Sequence, residues 1–112
     1  YDEHLLNLVQ TPVIRSENAS VFAQYTIEVS NRESVQAALR ENGIPTAVHY
    51  PVALHEQPVF KAFYSESLSF PYAEEAARRV LSLPMHPYLT HADQDKIIGA
   101  LREVLQYEVA EA

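Results

Sequence analysis

The stretch VFAQYTIEV, residues 21–29, alternates without a break. Val21, Ala23, Tyr25, Ile27 and Val29 fall on one side, and Phe22, Gln24, Thr26 and Glu28 on the other. Successive side chains of an extended chain point to opposite faces, so this period predicts a strand with one buried face. Such a strand cannot stand alone. It needs neighbours in a sheet and a layer of other elements over its apolar side.

The following residues supply that layer. Ser30 with Glu33 has capping-box spacing, and Val35, Ala38, Leu39 and Asn42 share a helical face. Gly43 then offers the left-handed position on which helices end. The pattern predicts a helix over 32–42, a second strand over 46–50, and a loop over 51–70 with a short helix near 57–63. Pro71 suits the first turn of another helix, whose stripe is Ala73, Ala76, Ala77 and Val80. Leu81-Ser82-Leu83 reads as a short strand closed by Pro84. Thr90 and Asp93 open a last helix with the stripe Ile97, Ile98, Leu101, Val104 and Leu105. Residues 1–9 read as one or two helical turns. The sum is an α+β, two-layer domain of three or four short strands with helices packed on one face, spanning residues 1–112. The chain opens on Tyr1 inside a helical stretch, which points to a piece of something larger.

Charge removes several function classes. The formal net charge is −7, and Arg78-Arg79, the one adjacent cation pair, follows Glu74 and Glu75. Phosphate backbones call for clustered Lys and Arg, so no nucleic-acid partner is expected. No apolar run approaches the ~20 residues of a membrane span. With no cysteine there is neither a disulfide frame nor a thiolate metal site, which fits a cytoplasmic location.

Catalytic patterns are equally sparse. Two glycines, Gly43 and Gly99, leave no nucleophile elbow and no phosphate-cradling loop. Glu74-Glu75 and Asp93-Asp95 sit where helix dipoles favour carboxylates. His86 and His91 straddle a proline turn at a spacing that is not that of metal ligands, and no metal is expected. What stands out is GIPTAVHYPVALHEQPVF, residues 43–60. Pro51 closes a strand on His49 and Tyr50, and His55 follows in the loop. Two readings are open. One member of the pair is packed into the domain, or both are held as donors for a polar or anionic ligand.

In order and spacing, the G-I-x-T-x-x-H-Y-P strand end, the L-H-x-Q-P-x-F loop, the F-P-x-A-E helix start and the L-S-L-P strand resemble the C-terminal domain of the DegT/DnrJ/StrS sugar aminotransferases. The resemblance covers residues 11–106. It implies the small domain of an aspartate-aminotransferase fold, with residues 1–10 ending a connecting helix. It also implies pyridoxal phosphate (PLP) in the full-length enzyme, a nucleotide-linked keto sugar as substrate, and a homodimer. A-Q-Y-T at 23–26 is similar to members that aminate a 3-keto uronic acid for surface polysaccharide. By the resemblance, His49, Tyr50 and, less directly, His55 are candidate substrate contacts. Lys61 and Lys96 lack the family's cofactor-lysine context, so the implied partner is an N-terminal PLP-binding domain, and this piece alone is expected to bind no PLP and to be inactive. The competing reading is a stand-alone α+β ligand-binding or interaction module without catalysis. Apolar residues Leu5, Leu8, Val9, Phe60, Phe63 and Tyr64 are the candidates for a face that meets a partner.

Overall fold

A computed structural model describes residues 1–64 and 68–111, with side chains up to residue 106. Strand β1 (Tyr25–Glu28) and strand β2 (Val80–Leu83) form an antiparallel pair in which Tyr25 faces Leu83 and Ile27 faces Leu81. Helices α1 (Asp2–Leu5), α2 (Arg32–Glu41), α3 (Pro58–Lys61), α4 (Pro71–Arg79) and α5 (His91–Glu111) complete the chain, with a 3₁₀ turn at Leu54–Glu56. Tyr25, Ile27, Leu81 and Leu83 make one face of the sheet apolar. Val35 and Leu39 of α2 and Ile97, Ile98, Leu101 and Val104 of α5 cover it. The predicted α+β layering is therefore present, as a two-stranded sheet with helices on one side.

The strand count is lower than the alternation suggests. Residues 46–50 do not form a strand. They touch the sheet at one bridge, where the Ala47 amide donates to the Ser82 carbonyl (3.1 Å) and the Ser82 amide to the Ala47 carbonyl (2.8 Å). Pro45 and Pro51 bracket the segment, and neither has an N–H to extend the ladder. On the other edge, Gln10 makes a single bridge to Glu28. β1 is also shorter than its pattern. Tyr25, Ile27 and Val29 are buried as expected, but Val21 and Ala23 are exposed. Phe22 takes a positive φ of 45°, so the chain turns there, and its ring comes to 5.7 Å from that of Tyr25.

Helix ends follow local chemistry, with one exception. α2 terminates on Gly43 at φ 73°; the Gly43 amide donates to the Arg40 carbonyl and the Ile44 amide to that of Leu39, both at 2.9 Å. These two bonds make a Schellman end with Ile44 buried behind it. At its start, however, Asn31 is the cap and makes no side-chain bond, so the Ser30–Glu33 capping box does not form. α5 starts as predicted. The Thr90 hydroxyl donates to Asp93 Oδ2 (2.6 Å) and accepts from the Asp93 amide (3.1 Å). α4 passes straight into β2: Val80 follows Arg79 already extended, at φ −67° and ψ 138°. The Arg32 guanidinium braces this junction by donating to the carbonyls of Ala77 and Val80.

The N-terminus packs more tightly than expected. Leu5 is fully buried and belongs to the core, whereas Leu8, Phe60, Phe63 and Tyr64 are exposed. The Tyr1 hydroxyl donates to the Pro84 carbonyl (2.8 Å), and the Tyr25 hydroxyl donates to Asp2. Burial pushes both phenols up, Tyr1 to about 12 and Tyr25 further, where the Asp2 carboxylate adds to the effect.

Candidate functional site

The face of the sheet away from the helices carries hydroxyls. Thr26 and Ser82 are cross-strand partners, and their Oγ atoms lie 2.8 Å apart. The segment bridged to β2 by Ala47 runs over this face and brings His49 above it. There His49 Nδ1 sits 3.1 Å from Ser82 Oγ. An open cleft of about 290 Å³ lies beside them, lined by Gln24, Thr46, His49, Ser82 and Met85 among others. No carboxylate lines it. Among the described residues, its lining is otherwise mostly apolar, with Ala23, Pro45, Leu83 and Pro84 beside these side chains.

Of the sequence candidates, His49 is half-buried at this cleft. Tyr50 is 71% exposed and sets its ring edge-on to the His49 imidazole at 5.5 Å. Neither is a core residue in the sense of the Leu and Ile side chains beneath the sheet. His55 is placed differently and does not line the cleft. Its Nε2 lies 2.8 Å from Glu74 Oε1, with 10% of the His55 side chain exposed, and its ring meets Phe70 edge-on at 4.8 Å. The same Glu74 oxygen accepts the Phe70 amide (2.9 Å) at the start of α4. That amide first, and His55 second, hold the Glu74 carboxyl below the usual range. His55 thus ties the loop to α4.

Glu56 stands by this pair, so that His55, Glu56 and Glu74 bring one ligand atom each within 4.8 Å of one another. The spacing of histidines gave no hint of it, because the cluster forms between a loop and a helix distant in sequence. Glu74 Oε1 is already shared between His55 and the Phe70 amide, and the cluster is a hydrogen-bond junction. The other paired carboxylates are also structural: Glu75 is 2.7 Å from Arg78 and 3.5 Å from Arg79.

Sequence reasoning missed Gln24, Thr46, Ser82 and Met85 as cleft residues. Ser82 was visible only as a polar residue within an apolar strand, and Gln24 only as part of the A-Q-Y-T stretch. Lys61 and Lys96 are exposed on α3 and α5, and neither lines the cleft. Among the described residues no helix is long and apolar enough to cross a membrane.

Comparison with known proteins adds the relationship. A UDP-2-acetamido-2-deoxy-3-oxo-D-glucuronate aminotransferase of Pseudomonas aeruginosa is 50% identical over 93 residues, which is 83% of this chain and 25% of that protein. A DegT/DnrJ/EryC1/StrS aminotransferase from Brucella abortus superposes with a TM-score of 0.80 at 44% identity, covering 91% of this chain and 27% of that one. DesV of S. venezuelae, solved in complex with a ketimine intermediate, gives 0.87 at 32% identity, covering 94% and 29%. The chain thus spans about a quarter of the length of the relatives it matches. With residues 1–102 matching the family's sequence profile as well, the chain belongs to the DegT/DnrJ/EryC1/StrS aminotransferase family.

Proposed function

We propose that this chain is the C-terminal small domain of a PLP-dependent aminotransferase that aminates a keto sugar carried on a nucleotide, and that the sugar is a 3-keto uronic acid. The amino group comes from an amino-acid donor such as glutamate, and the ketone becomes an amine. The product serves surface-polysaccharide assembly in the cytoplasm, and the full-length protein works as a homodimer. PLP, when bound, supplies the amino-group transfer. Its lysine and its pyridine-nitrogen partner belong to the N-terminal domain.

This domain contributes one wall of the substrate cleft. His49 Nε2, with Gln24 and Thr46 in the same cleft, and the Tyr50 hydroxyl, exposed next to the cleft lining, offer donors to the sugar or its carboxylate. The observation that carries the reading is the His49 imidazole, held at the cleft by Ser82 with the polar side chains of Gln24 and Thr46 in the same lining. The likeness to the Pseudomonas enzyme supports the choice of a uronic acid.

The test uses full-length protein with PLP and glutamate. Two acceptors are compared, a UDP-linked 3-keto uronic acid and its neutral 3-keto counterpart, by formation of 2-oxoglutarate. Faster turnover of the uronic acid is expected. Turnover of the neutral sugar alone would overturn the acid as substrate, and no turnover of either would overturn the sugar reading altogether.

A further inference from the structure

Ser82 is the one buried polar residue among those described, with 5% of its surface exposed. A buried hydroxyl has to be paired, and this one is paired twice, to Thr26 Oγ1 at 2.8 Å and to His49 Nδ1 at 3.1 Å. Its backbone is fixed as well, since its amide and carbonyl both bond to Ala47, two residues before His49. The imidazole is thus held from the strand and from its own segment.

The direction of this chain of bonds follows from counting protons. If His49 Nδ1 carried a proton, three protons (on Nδ1, Ser82 and Thr26) would share two bonds, and one hydroxyl proton would be left without an acceptor in the chain of bonds. If instead Thr26 donates to Ser82 and Ser82 donates to Nδ1, each hydroxyl proton is used and none is left over. Nδ1 is then the acceptor, and the ring proton is on Nε2.

We propose that Ser82 is a positioning residue that sets the tautomer of His49, presenting Nε2–H as the donor in the cleft. The strand supplies the position: side chains alternate along β2, so Leu81 and Leu83 enter the core while Ser82 points to the cleft side. The proposal deepens the substrate-site reading above, and its kinetic consequence rests on that reading. Its spectroscopic consequence does not.

The experiment is two-bond proton–nitrogen NMR on the full-length protein labelled with 15N-histidine, without substrate. Wild type should show His49 with a protonated Nε2 and an unprotonated Nδ1. Ser82→Ala should average the two nitrogens, Ser82→Thr should restore the wild-type pattern, and Thr26→Val should keep it. If Ser82→Ala fails to fold, the wild-type spectrum decides alone: an unprotonated Nδ1 upholds its acceptor role and a protonated one overturns it. His49 nitrogen signals unchanged in Ser82→Ala, or a protonated Nδ1 in wild type, overturn the proposal.

Kinetics then separate the two readings. Ser82→Ala should raise KM for the nucleotide sugar about 5- to 10-fold, with kcat within about twofold, and Ser82→Thr should bring KM back. A changed tautomer with unchanged KM would uphold the Ser82–His49 coupling and remove His49 from the substrate contacts.

Discussion

Glu74 Oε1 lies 2.8 Å from His55 Nε2 and accepts the Phe70 amide through the same oxygen. One carboxylate therefore both starts α4 and anchors the loop that precedes it. Its hydrogen bonds favour the charged form and hold its carboxyl below the usual range. A depressed carboxyl contributes stability above its ordinary value, about 4.3 for a Glu, and loses it as the pH falls through the folded value. Urea midpoints of the wild type should therefore decline below about pH 4.5. Glu74→Gln should be weaker at neutral pH and show a shallower decline in acid. A Glu74→Gln profile parallel to wild type would remove Glu74 from the acid response.

His49 and Tyr50 are expected to affect substrate more than fold. Tyr50 is largely exposed, and His49 lies on the cleft side of the sheet, away from the apolar core. In full-length protein, His49→Ala should cost about 1–3 kcal/mol of binding, roughly 5- to 150-fold in kcat/KM. Tyr50→Phe should lower kcat/KM less and leave the melting temperature within about 2 °C. A large fall in melting temperature with unchanged kinetics would mean that the pair serves packing.

The Tyr25 hydroxyl donates to Asp2, and burial raises this phenol above its ordinary value, as it raises Tyr1 to about 12. A raised phenol contributes stability that is whole below about pH 10 and is lost as the pH climbs toward the folded value. Unfolding should become easier above about pH 10. Tyr25→Phe should flatten that loss and cost about 1 kcal/mol at neutral pH, or about 4–8 °C in melting temperature for a domain of this size. Ultraviolet titration of the tyrosines, with and without urea, gives the check: in the native protein part of the phenolate signal should appear only as the fold is lost.

The sequence showed most of the core and little of the site. Ile97, Ile98, Leu101 and Val104 recur at helical spacing, and all four are buried. Thr90 with Asp93 announced the start of α5 because capping chemistry is local. By contrast, whether residues 46–50 pair as a strand depends on a partner distant in sequence, and they meet the sheet at the Ala47 bridge alone, between prolines that cannot extend the ladder at either end. Ser82 could be read as strand, but not as the partner of His49, because that bond spans 33 positions. His55 shows the same limit. Its motif marked the loop, while the glutamate that fixes it belongs to a helix starting beyond residue 70.

The direct passage of α4 into β2 has a mechanical result. Glu74 on the helix moors His55, and Ser82 on the strand moors His49, so both imidazoles are tethered to one continuous stretch of chain, braced by Arg32 where helix becomes strand. Tyr50, Val52 and Leu54 hang between the moorings with their side chains exposed. Substitution there changes an exposed surface that follows His49 in the chain while the ring at the cleft keeps its bond to Ser82.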